Sequence, residues 1–212
     1  VGLNLPLWQI GMNLGFNPNA IFGAPLVIST TIVIMFILMG QVLLRAGGSE
    51  FFTDLAMATM GRRRGGAAKI SVMASALFGT ISGAAVSNVV VTGVVTIPLM
   101  RDSGYKATHA GAIEAIASTG GQMMPPIMGA AAFLMAETLE ILYAEIVIAA
   151  LLPSIIYYFA AYVQVDLIAA RDDISAVNQD IPRLGKVLRE GWYFLPPFAV
   201  LIYLLFWANQ PA

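Results

Sequence analysis

Apolar residues run in long unbroken stretches along this chain, and the polar positions that interrupt them are few and clustered. Ala24 to Leu44 (APLVISTTIVIMFILMGQVLL) is a stretch of 21 residues without a charge, which at helical rise covers about 31 Å, the thickness of a bilayer core. It predicts a transmembrane helix at 24–46, preceded by a periplasmic or interfacial lead-in at 1–23. Phe51 to Met60 (FFTDLAMATM) puts apolar residues on one helical face with Asp54 among them and ends in Gly61-Arg62-Arg63-Arg64. The segment 49–64 therefore reads as an interfacial arm helix, not a span. Further transmembrane helices are predicted at 107–136, 142–170 and 192–208, the last with Trp192 and Trp207 near its ends as membrane-interface helices often have. Between the last two, 171–191 is polar, holds Pro182 and Gly185, and reads as a cytoplasmic loop.

The charge-free run from Ile70 to Met100 fits neither pattern, because its 31 residues exceed one straight span while two crossings need about 40 plus a turn. In its middle stands GTISGAAVSN, Gly79 to Asn88, with two glycines, two serines, a threonine and an asparagine. Folded back there, each arm has about 12 to 15 residues and reaches roughly 18 to 22 Å, a little past the bilayer midplane. That describes a re-entrant helical hairpin over 67–101. Charge favours it: with both hairpin ends on one face, all 11 Lys and Arg residues fall on that face, which the positive-inside rule names cytoplasmic. A single crossing would split them five and six.

Irregular backbone at membrane depth is tolerated only where protein buries it or where it lines a cavity. A second such interruption lies in 107–136, where Ser118-Thr-Gly-Gly-Gln-Met-Met-Pro-Pro126 breaks the span. Pro125 and Pro126 cannot donate helix hydrogen bonds, which frees carbonyls near Gly121 and Gln122. Those carbonyls, with the hydroxyls of Ser118 and Thr119, are hard oxygen ligands. The hairpin tip offers the same chemistry through Ser82, Ser87, Asn88 and its backbone. A re-entrant tip beside a broken helix is the usual pair of elements that binds coupling ion and substrate in secondary transporters. The plainer reading of Gly79 and Gly83 is close helix packing. Glu114, about two turns inside its span, is a candidate for an ion pair with His109 or Arg101, for snorkelling, or for a coupling role. Arg62 to Arg64 read as a charge anchor and Asp166 as a cap at the cytoplasmic end of its helix.

Composition narrows the function. The chain is 58% hydrophobic and 11% charged, against roughly 25% charged in soluble domains, so it is an integral membrane protein. A net charge of −1 gives no basic surface for nucleic acid, and no cysteine with a single histidine leaves no thiolate or zinc cluster. A channel with a re-entrant loop would need a filter, and nothing here resembles one. An embedded enzyme would have to use Glu114 and His109, whose i, i+5 spacing puts them on different helix faces.

GTISGAAVSNVVVTGVVTIPLM followed by GAIEAIASTGGQMMPPIMGAAAFLMAE resembles the large membrane (permease) subunit of tripartite ATP-independent periplasmic (TRAP) transporters, in particular the TAXI-type fused permeases. The resemblance implies an all-α integral membrane fold with one re-entrant hairpin and one broken transmembrane helix, half of an inverted-repeat elevator transporter in a bacterial or archaeal inner membrane. It implies sodium as the coupling ion and carboxylate-type solutes delivered by a periplasmic substrate-binding protein. The other partners it implies are a small membrane subunit, separate or fused, and a second half of the permease. Carried onto this chain, the sodium and substrate site comprises Ser82, Gly83, Ala84, Ser87 and Asn88 at the tip and Ser118, Thr119, Gly120, Gly121, Gln122, Pro125 and Pro126 at the break. Sodium is expected at Ser82, Asn88 and Gly121, and Glu114 is a possible coupling residue. Ala84 stands where the family's tip usually has a serine. Only one hairpin and one broken helix are present, so the chain reads as the first half of a longer one. Within transport, the nearest alternative is a divalent-anion sodium symporter without a binding protein.

Overall fold

The chain folds into helices joined by short turns, and the computed structural model describes residues 6–16, 23, 26–27, 30, 34–177, 181–203 and 207. Among them no strand occurs. The elements are α1 (Leu7–Phe16), α2 (Ile34–Leu43), α3 (Ser49–Met60), α4 (Gly66–Ser82), α5 (Ala85–Asp102), α6 (Ala107–Thr119), α7 (Ala130–Leu139), α8 (Tyr143–Arg171), α9 (Leu184–Glu190) and α10 (Leu195–Tyr203). The first half of the span expected at 24–46 lies largely outside the described residues, as does most of 204–208. What is described of the former ends in a wide helical turn, Leu44–Gly48, kinked at Gly47 with φ 97°.

α4 and α5 form an antiparallel hairpin around a two-residue turn. Gly83 ends α4 in the left-handed region, φ 58°, where its missing Cβ removes the penalty. Ala84 is extended and starts α5. The arms hold 17 and 18 residues, about 26 Å each, longer than the expected 12 to 15. That count covers only the charge-free run, whereas the helices, close to the expected bounds of 67–101, continue through Lys69 and Arg101. Lys69 is only 4% exposed, lies 4.9 Å over the Tyr162 ring and makes a 2.5 Å ion pair to Asp166 of α8. Arg64 reaches the same carboxylate, and Arg63 donates to the Tyr162 hydroxyl. Asp166 is thus a clamp between α8 and the base of the hairpin, not a helix cap.

The packing around the hairpin is built from small side chains. Ala56, Ala67, Ala68, Ala74, Ala110 and Ala117 are fully buried in the main core, where α3, α4, α6 and α8 meet, as expected where helix backbones approach closely. A second cluster holds Phe51, Phe52, Phe78, Ile81, Val187 and Phe194. Val187 belongs to α9, which forms inside the segment read as a plain loop because this apolar side chain has an aromatic cluster to enter. α8 has 29 residues, and its most apolar 18-residue stretch has a mean hydropathy of 2.1, so the helix is long and apolar enough to cross a membrane.

Candidate functional site

The segment expected to be a broken helix is broken. α6 ends at Thr119, a single tight turn covers Gly120–Gln122, and regular helix resumes only at Ala130. The break strands carbonyls at the end of α6, and α8 takes them up: Tyr157 donates to Ile116 O at 2.7 Å and Tyr158 to Ala117 O at 3.0 Å. A Cβ on Gly120 would lie 2.5 Å from the Tyr157 ring, so only glycine fits there. The Gln122 carbonyl, expected to be free, accepts the Gly129 amide at 2.8 Å and closes the unwound stretch into a loop. Tyr143 at the start of α8 donates to Ile127 O at 2.5 Å while its ring stacks on Phe133.

The hairpin tip lies against this loop. A Cβ added to Gly83 would meet Met128 O at 1.8 Å, and one added to Gly79 would meet the Gly121 Cα at 2.4 Å. Gly79 and Gly83 thus serve close packing, and their neighbours across the interface are the unwound residues themselves. Beside the contact opens a cavity of about 720 Å³ lined by Gly83, Ala84, Val86, Gln122, Met123 and Gly129 among others. Its wall is mostly apolar. The Ser82 hydroxyl oxygen is buried and has no hydrogen-bond partner among the described residues. Ser87 is half-buried, while Thr119 and Gln122 are exposed, the Thr119 hydroxyl donating to Ala115 O at 2.7 Å.

A family model described as the DctM component of tripartite ATP-independent periplasmic transporters matches residues 17–212. The chain belongs to this family. Among curated relatives, the ectoine/5-hydroxyectoine TRAP transporter large permease protein UehC of Ruegeria pomeroyi is 28% identical over 173 residues, which is 81% of this chain and 36% of the relative. The C4-dicarboxylate TRAP transporter large permease protein DctM of Vibrio cholerae is 30% identical over 121 residues, 57% of this chain and 27% of the relative. An uncharacterised Salmonella typhimurium protein, YgiK, is 34% identical over 91 residues, 43% and 21% of the two chains. The chain therefore spans between 21% and 36% of the length of these relatives. The relatives with a stated role are transporter permeases, which are integral membrane proteins and not enzymes.

One turn away from the tip, this TRAP permease chain holds its most polar interior. Asn88 is fully buried, and its side-chain NH2 donates to Ser75 O at 2.9 Å, tying the two hairpin arms together. The same nitrogen lies against Gly121, 2.7 Å from where a Cβ would stand. Glu114 of α6 is fully buried between the arms. Ser71 donates to its Oε2 at 2.8 Å and Ser118 to its Oε1 at 3.0 Å. Thr92 lies 2.5 Å and Ser75 3.4 Å from Oε1, and Thr96 makes a short hydrogen bond to Oε2. Five hydroxyls from three helices thus surround one carboxyl group. The expected pairing of Glu114 with His109 or Arg101 does not form. His109 instead sits 3.6 Å from Asp172, whose carboxyl is held below the usual range first by its hydrogen bond from Arg171, and Arg101 is exposed.

Ser118, expected among the site residues at the break, donates to Glu114 and belongs to its cluster. Ser71, Ser75, Thr92 and Thr96 were not singled out from sequence at all. Their signal is a four-residue spacing of polar groups within apolar helices: Ser71 and Ser75; Asn88, Thr92 and Thr96; Glu114 and Ser118. Each pair or triple occupies one helix face.

Proposed function

We propose that the chain is the first-repeat portion of a sodium-coupled, TAXI-type TRAP importer in a bacterial or archaeal inner membrane. In this reading α4 and α5 are a re-entrant hairpin that opens to the cytoplasm, and the hairpin with the broken helix α6–α7 travels as the elevator's moving part. The remaining site comes from a second half of the permease, with a small membrane subunit, separate or fused, and a periplasmic substrate-binding protein as partners. Relatives named for C4-dicarboxylate, sialic acid and 2,3-diketo-L-gulonate support an organic acid as the solute.

The observation that carries this reading is the direct contact of the hairpin tip with the unwound loop, Gly83 on Met128 and Gly79 on Gly121, beside a buried and unpartnered Ser82 hydroxyl. A buried hydroxyl without a partner costs free energy unless something fills its lone pairs. A sodium ion, which accepts neutral oxygen ligands, is the reading proposed here, with backbone near Gly121 and the amide oxygen of Asn88 as further ligands. Asn88 already holds the two arms together, so its role is split between structure and ion, whereas Ser82 is unencumbered.

The test uses the full-length permease with its partners in proteoliposomes. Ser82→Ala is expected to raise the sodium concentration for half-maximal uptake about tenfold, equivalent to ~1.4 kcal/mol of ion binding, with unchanged thermal stability in the absence of sodium. Asn88→Ala should change both. An unchanged sodium curve for Ser82→Ala rejects the assignment of sodium to the tip.

A further inference from the structure

We propose that Tyr157 and Tyr158 of α8 are positioning residues for the site at the hairpin tip: they hold the Gly120–Gly121 backbone against the hairpin and so fix where the break presents its oxygens. This rests on the sodium reading above and names what keeps that site in shape. The two glycines are in contact with two separate elements. A Cβ on Gly120 would lie 2.5 Å from the Tyr157 ring and 2.8 Å from Tyr158 Cζ. A Cβ on Gly121 would lie 2.7 Å from Asn88 Nδ2 and 3.0 Å from the Gly79 Cα. Displacing the tyrosine rings or the hairpin therefore displaces the backbone between them.

Ring contact alone would let the break slide along α8, and the hydroxyls remove that freedom. Tyr157 donates to Ile116 O at 2.7 Å, a carbonyl that also accepts the Gly120 amide, and Tyr158 donates to Ala117 O at 3.0 Å. Bonds to two consecutive carbonyls, from rings set edge to face with centroids 5.6 Å apart, fix both the position and the rotation of the last turn of α6. Tyr158 lies on the buried stripe of α8 with Ser154, Ala161 and Val165, so packing holds its own ring. Both hydroxyls are engaged four and five residues before Gly121, which makes them supports of the backbone and not ligands. Supports of this kind, outside the coordinating atoms, change ion affinity about 10- to 100-fold when removed.

The experiment uses the full-length permease with its partners and the variant Tyr157→Phe/Tyr158→Phe, which keeps both rings and removes only the hydroxyls. Sodium is read in two ways: by the concentration for half-maximal uptake in proteoliposomes, and by the rise in melting temperature that sodium gives the purified permease. Both are expected to need about tenfold more sodium in the variant, and lithium, the smaller ion, should compete with sodium better than in the wild type because a loosened site discriminates less by size. Tyr157→Phe alone, whose carbonyl keeps the Gly120 amide, should show a smaller shift in the same direction and serves if the double variant does not fold. Tyr162→Phe removes a hydroxyl of the same helix from its bond with Arg63 and should leave both sodium curves in place. A variant that melts lower without sodium but keeps both sodium curves overturns the proposal, since the tyrosines are then structural only. An equal shift in Tyr162→Phe also overturns it, because any loosening of α8 then suffices. If Ser82→Ala moves the sodium curves and the tyrosine variants do not, this proposal alone fails. A wild type that responds to sodium in neither measurement sinks the sodium reading and this proposal with it.

Discussion

The hairpin carries two polar regions about two to three helical turns apart, and they are built in opposite ways. At the tip the backbone does the work: glycines let α4 approach the unwound loop until Gly79 meets Gly121 and Gly83 meets Met128, and the nearby cavity is lined by alanine, valine and methionine. Around Glu114 the side chains do it, with five hydroxyls converging on one carboxyl group. Among the described residues the tip leaves a hydroxyl, Ser82, without a partner, while both oxygens of Glu114 are hydrogen-bonded. A ligand that arrives and leaves suits the first arrangement. A fixed hub that holds α4, α5 and α6 in register suits the second.

This contrast can be broken by substitution in vitro, with unfolding of the detergent-solubilised protein as the measurement. The largest effect is expected for Gly83→Ala, which combines a positive φ with a Cβ placed 1.8 Å from Met128 O. The loss should be on the order of 3 kcal/mol or more. A near-neutral result would mean that tip and loop are not held against each other. Thr96→Val keeps shape but removes a hydroxyl facing Glu114 and should cost about 1 to 3 kcal/mol, and a cost near zero would show that the cluster does not depend on each of its members. Ser82→Ala comes last, at about 0.5 kcal/mol or less without sodium. A large loss there would mean that the hydroxyl has a partner after all, and the difference between the two regions would shrink.

Much of the hairpin was legible in the chain because a charge-free run of that length has few ways to fold in a bilayer. The turn was legible in Gly83, and the break in Gly120, Gly121 and the two prolines. The arm length of 12 to 15 residues counted only the charge-free run; Lys69, inside the expected 67–101, is neutralised by Asp166, 97 residues further on, and no local pattern discloses a partner at that distance. The surroundings of Glu114 were missed in a similar way. Each helix shows its polar spacing locally, but that Ser71, Thr96 and Ser118 meet at one carboxyl is a property of how three helices pack. The Gln122 carbonyl was expected to be free because proline removes a helical donor, and the Gly129 amide replaced that donor from within the loop itself.

The Asp166 clamp also acts as a depth gauge. About 20 residues of helix cross a ~30 Å hydrocarbon layer, and α8 has 29, so roughly its last nine, which include Asp166, overhang into the headgroup layer when its first residue, Tyr143, sits at the opposite boundary. Arg64 is tethered to that overhang through Asp166 and Arg63 to Tyr162 just before it, and Lys69 ties the root of the hairpin to Asp166 as well. Under the re-entrant reading proposed above, a membrane whose thickness tilts α8 would therefore shift the root of the hairpin with it.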